Sequence, residues 1–286
     1  MTPEAHIGVA SLYRALAAFA LAFLATRLFL PLHVAGLRAR GLIRPNYRGQ
    51  EVAWPGGLFL VVTASVVFLV TAANGRAGVV LSPGPRVAAL IVTVVVLAGL
   101  GLIDDFFGGT EAKGLRGHLG LLLAGQVSTG IVKAGGGLLA ALAFALVAVD
   151  GAAVLVATLL VALMANAFNL LDLRPGRAAK AFLAGGFPLA ALGGPAGSVL
   201  APALGAVLAY LPHDLRCRVM LGDTGANALG AALGAAAVLA LSPAVQVLLL
   251  AGLVLLHWYA ERASLNEFIA RRPLLRFLDE LGRVNP

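Results

Sequence analysis

The constraint that leaves this chain fewest choices is a succession of apolar runs, each close to the length that crosses a bilayer. They fall at 8–32, 56–73, 87–103, 134–149, 152–169, 181–192, 198–211, 226–241 and 244–260. A spanning helix needs about 20 apolar residues, fewer when it stands upright. Lipid offers no partner to backbone N–H and C=O groups, so such runs close their hydrogen bonds as helices. Composition agrees: 60% of residues are hydrophobic and 12% charged, against about 25% charged in soluble domains. The expected fold is all-α, a polytopic integral membrane helical bundle of about nine transmembrane helices.

Residues 1–260 read as one transmembrane unit and 261–286 as an amphipathic cytoplasmic tail. In the tail, Leu265, Phe268, Ile269, Leu274, Leu275 and Leu278 recur at near-helical spacing, which suits a segment lying along a membrane or protein face. The single Cys, Cys217, excludes an intramolecular disulfide framework. The first apolar run is too long for a cleavable signal, and Glu4 precedes it.

The formal net charge of +8 would suit a nucleic-acid binder. Here Lys and Arg instead collect in alternate loops, after the first, third, fifth and seventh runs, and in the tail. That bias marks cytoplasmic loops, so no nucleic-acid partner is expected. It places the N-terminus outside and the C-terminus in the cytoplasm. Segment 104–133 is expected to lie in the interface, which leaves Lys133 on the cytoplasmic side.

This topology brings the unusual polar groups to one face. Asp104 and Asp105 end the third run, where ionisable groups at membrane depth are functional candidates by default. Asn166, Asn169 and Asp172 end the fifth and share a helix face by their spacing of three. Asp223 and Asn227 open the eighth. Plainer roles exist for each: a helix end for Asp104-Asp105, an N-cap for Asp223, interhelical hydrogen bonds for the Asn pair. Carboxylates and amide oxygens are also hard ligands that suit Mg²⁺. Lys113, Arg116, Lys133, Arg174, Arg177, Lys180, Arg216 and Arg218 surround them. Positive-inside bias accounts for basic residues there, and so does phosphate binding. Carboxylates, Mg²⁺ and basic groups together are the components of a phosphoryl-transfer site.

Three stretches carry a resemblance: Gly101-Leu-Ile-Asp104-Asp105-Phe, Asn166-Ala-Phe-Asn169-Leu-Leu-Asp172, and Met220-Leu-Gly-Asp223-Thr-Gly-Ala-Asn-Ala-Leu-Gly230. In order, they resemble the cytoplasmic motifs of the polyprenyl-phosphate N-acetylhexosamine-1-phosphate transferase superfamily. Pro55-Gly56-Gly57 looks like its first-loop motif. The resemblance implies Mg²⁺-dependent transfer of a sugar-1-phosphate from a UDP-sugar donor to a polyprenyl (undecaprenyl) phosphate acceptor, releasing UMP. It implies a site on the cytoplasmic face of a bacterial cell membrane, in cell-envelope glycan synthesis.

By the same resemblance, Asp104 and Asp105 are a catalytic pair. Asp223 is the principal Mg²⁺ ligand with Asp105 beside it. Asn166, Asn169 and Asp172 lie on the nucleotide side. Lys113, Lys133, Arg174 and Arg177 are expected to bind phosphate. Homodimerisation is an expectation of the resemblance alone. The chain departs from the family pattern in two places. The second acid after Asp172 is replaced by Pro175, and no His-rich late loop is present; His257 stands alone. Arg174, Arg177, His118 or Arg271-Arg272 are candidates for the missing phosphate contacts. A non-catalytic homologue that binds lipid phosphate or envelope-assembly partners is the alternative reading.

Overall fold

A computed structural model describes residues 3–73, 84–108 and 128–284. Lys113, Arg116 and His118 lie outside the described residues. The structure is almost entirely helical. Helix α1 spans Pro3–Ala39 and leads into a hairpin of β1 (Ile43–Pro45) and β2 (Glu51–Ala53). Then follow α2 (Gly57–Ala73), α3 (Pro85–Phe107), α4 (Thr129–Ala148), α5 (Ala153–Leu171), α6 (Arg177–Ala191), α7 (Gly194–Leu215), α8 (Gly222–Ala240) and α9 (Pro243–Ala260). Two short helices, α10 (Leu265–Ala270) and α11 (Pro273–Glu280), form the tail. Six of the described helices are long and apolar enough to cross a membrane by length and composition.

The bundle is organised around α8. Every residue from 224 to 238 is buried, on all sides of the helix. A helix apolar all round belongs inside a bundle, and its run of Ala and Gly lets neighbours approach closely in lipid. Helices α2, α3, α5, α6 and α7 pack around it, with α1 against α7 and α9 against α5. The outer helices leave large apolar side chains exposed, Leu248 and Leu255 on α9 among them. His257, also on α9, donates from Nδ1 to the carbonyl of Leu253 one turn back.

Two local outcomes differ from expectation. The fourth run begins earlier than 134: Ser128 caps α4 by accepting the N–H of Ile131 at 3.3 Å. Lys133 therefore lies on a helix in its second turn, rather than in an interfacial segment. The basic stretch after α1 contains a hairpin, in register Ile43 with Ala53 and Arg44 with Val52. Asn46 closes its turn by accepting the N–H groups of Arg48 and Gln50. Ala53 then pairs in parallel with Val219. Met220 donates to the carbonyl of Ala53 at 2.9 Å, and Gly56 and Gly57 donate back to Met220 and Leu221 at 2.8 Å. This fixes the stretch that opens α8 against the start of α2.

Candidate functional site

The site forms where α3 ends against the start of α8. Successive side chains on a helix diverge by about 100°, so Asp104 and Asp105 face different partners. Asp105 is buried, 4% exposed. Its Oδ1 accepts the N–H of Asp223 at 2.8 Å, and its Oδ2 accepts the N–H and the hydroxyl of Thr224 at 2.9 and 2.5 Å. The first N–H groups of a helix have no partner within it. Leu221, at the N-cap of α8, has no side chain to offer them, so Asp105 caps α8 from a neighbouring helix.

Glycine makes that approach possible. One turn before Asp105, a Cβ on Gly101 would overlap the backbone carbonyl of Asp223. Gly222 has φ +73°, and a Cβ there would crowd the Asp105 carboxylate and the Trp54 ring nitrogen.

Asp104 turns toward α4, where Lys133 donates to its Oδ2 at 2.6 Å. The same ammonium donates to Oδ2 of Asp223. One lysine thus joins acids from α3 and α8. On the other side, the Arg44 guanidinium lies 3.6 Å from the centroid of Trp54 and donates to the carbonyl of Asp105 at 2.5 Å.

Asp172 follows α5 and lines a cavity of about 210 Å³ together with Arg44, Trp54, Asp105, Arg174, Asp214 and Asp223. Part of Asp172 is open to the cavity, while protein surrounds its carboxyl. Burial pushes this carboxyl well above the usual carboxylate range. The charges of Asp214, Asp223 and Asp105 push the same way, and the N–H of Gly222 opposes them. Asn169 donates to Oδ1 of Asn227 at 2.6 Å. Its own Oδ1 is buried without a partner among the described residues.

The structure thus brings Asp104, Asp105, Asp172 and Asp223 to one end of the bundle, with Asn169 close by on α5. Asn166 is exposed on α5 and is not among the residues that line the cavity. Arg174 lines the cavity and stacks 4.0 Å from the centroid of Tyr47. Arg177 turns the other way: it pairs with Asp279 at 2.7 Å and with Asn266 at 2.8 Å, tying α6 to the tail.

Sequence reasoning missed Asp214, Arg44 and Trp54. Asp214 is buried near the end of α7 and accepts the N–H of Gly176 at 3.0 Å. An acid in the last turn of a helix runs against the helix dipole, and that misfit was the available signal.

The residues present do not fit a divalent ion as they stand. The expected ligands are Asp223 and Asp105. Asp105 has both oxygens committed to α8, and Lys133 holds Asp223 and Asp104 together. A Mg²⁺ ion at about 2.1 Å from those oxygens would meet the lysine ammonium.

A family model described as glycosyl transferase family 4 matches residues 87–241. That stretch carries Asp104, Asp105, Asn169, Asp172, Asp214 and Asp223. No curated protein matches the chain.

Proposed function

The chain belongs to glycosyl transferase family 4, and from that premise we propose that it transfers a sugar-1-phosphate from a UDP-sugar to a polyprenyl phosphate, releasing UMP. One observation carries the reading. Acids from three separate stretches, Asp105, Asp172 and Asp223, meet Arg44 and Arg174 around a single cavity at one end of an apolar bundle, and Asp104 is joined to Asp223 beside it through Lys133. A lipid-borne acceptor and a water-soluble donor can meet only at such an end.

With α2, α6 and α8 also read as spans, the bundle crosses the membrane nine times. Among the described residues, 39–56, 104–108, 128, 172–177, 216–222 and the tail then share one side. Arg40, Arg44, Arg48, Arg174, Arg216 and Arg218 lie there, which supports a cytoplasmic site in a bacterial cell membrane.

In the reaction an oxygen of the acceptor phosphate attacks the β-phosphorus of the donor. The new P–O bond forms as the bond to the bridging oxygen breaks, and UMP leaves with that electron pair. Arg44 and Arg174 hold phosphate oxygens. Asp104 takes the proton from the fraction of acceptor that carries one. Asp172 lines the cavity on the nucleotide side. The family resemblance implies Mg²⁺; because Lys133 stands between the acids, no step here passes through a metal.

The test is UMP release from purified protein supplied with undecaprenyl phosphate and a panel of UDP-sugars, with and without Mg²⁺. Release from one donor is the expected result. No release across the panel, beside an active control enzyme, would sink the reading. The Lys133 bridge and the loss of the second acid to Pro175 favour a second reading, a non-catalytic homologue that binds lipid phosphate or a partner. In that case Asp104→Asn would leave cellular function intact.

A further inference from the structure

We propose that Lys133 is the resident cation of this site and stands in place of a divalent metal ion. The inference rests on the transferase reading for the ligand it serves, a diphosphate, but its geometry is independent of that reading.

Lys133 lies in the second turn of α4, between Val132 and Ala134 and ahead of Gly135, Gly136 and Gly137. A charge inside an apolar helix is costly unless it is paired. Both partners are carboxylates from other helices, Asp104 at 2.6 Å and Asp223. One of them, Asp223, is the principal expected metal ligand. An ammonium there supplies one fixed positive charge and repels a second cation from the same space. The other expected ligand, Asp105, cannot turn to a metal without uncapping α8, because its oxygens accept from Asp223 and Thr224.

A lysine also retains what the chemistry needs. Its ammonium has three N–H groups. Two go to Asp104 and Asp223, which leaves a third that an incoming phosphate oxygen would take. Lysine binds phosphate as a point charge, so it neutralises the acids and meets the anion at once. Its tether removes the need for a bound ion at this position.

The experiment is a Mn²⁺ titration, followed by electron paramagnetic resonance, on the full chain in nanodiscs of zwitterionic lipid without donor or acceptor. The wild type and Asp223→Asn are expected to bind Mn²⁺ indistinguishably. Lys133→Met is expected to gain one Mn²⁺ per chain, at least tenfold tighter than any wild-type binding. Adding Asp223→Asn to that variant should remove the gained site. A wild-type Mn²⁺ site that Asp223→Asn abolishes overturns the proposal, as does a folded Lys133→Met that gains none. If Lys133→Met does not fold, the wild-type comparison still decides. UMP release that EDTA abolishes and Mg²⁺ restores would overturn this inference while leaving the transferase reading intact. Absence of release under every condition would strike the transferase reading and leave the Mn²⁺ comparison to judge Lys133.

Discussion

Asp105, on α3, caps α8 by accepting both the backbone N–H and the hydroxyl of Thr224. A catalytic-looking acid is thus also a structural joint between two packed helices. Asp105→Ala leaves two buried N–H groups without a partner, at about 1–3 kcal/mol for such a loss. Thermal unfolding in detergent should fall clearly for Asp105→Ala and less for Asp105→Asn, which keeps one acceptor. Equal stability of Asp105→Ala and wild type would refute the capping role.

Gly101 allows α3 to sit this close to α8. Gly101→Ala adds one methyl group against the backbone of Asp223, which cannot swing aside as a side chain would. Overpacking of this kind costs about 1–3 kcal/mol. The variant should lose transfer activity although no polar group has changed. Full UMP release from it would show that the helix spacing is looser than described.

Arg44 both stacks on Trp54 and donates to the carbonyl of Asp105. Arg44→Lys keeps the charge but loses the planar stack and the fork. About 1 kcal/mol of stacking is at stake. With Trp258→Phe as background, the emission of Trp54 should shift on this change; an unchanged spectrum would argue against the stack.

The tail predicts a pH effect. Burial works to raise the pKa of Asp279, but hydrogen bonds and charge from Arg177 and Arg283 outweigh it, so this carboxyl lies below its ordinary value. The stabilisation from a group with a lowered folded-state pKa is complete above its unfolded value, about 3.9, and is lost as pH falls through the folded value. Hydrogen exchange of residues 273–284 should therefore stay slow down to about pH 4 and rise below it. At neutral pH, Arg177→Met should release the tail, since removing one partner of a nearly buried pair costs on the order of 3 kcal/mol. A tail equally protected in that variant would exclude the ion pair as its anchor.

The apolar runs led directly to helices because hydrocarbon admits little else, and the acids were found because their residue types are rare at such depths. Other features left weaker traces. The strands at 43–45 and 51–53 are three residues each, too short for alternation to register. Lys133 reads from sequence as part of an interfacial segment that keeps its charge on the cytoplasmic side; its partners, Asp104 and Asp223, lie 29 and 90 residues away. Arg177 was grouped with the phosphate ligands by neighbourhood in sequence, yet its partner Asp279 belongs to the tail. Pairings between distant side chains leave no periodic signature.

The parallel pairing of Ala53 with Val219 stitches the first third of the chain to the last. A fragment limited to 87–241 would expose an unpaired backbone edge at 219–221 and would lack Arg44 and Trp54. The inherited unit of this site is therefore wider than the stretch by which the family is recognised. Two distant portions of the gene must vary together for the cavity to keep its shape.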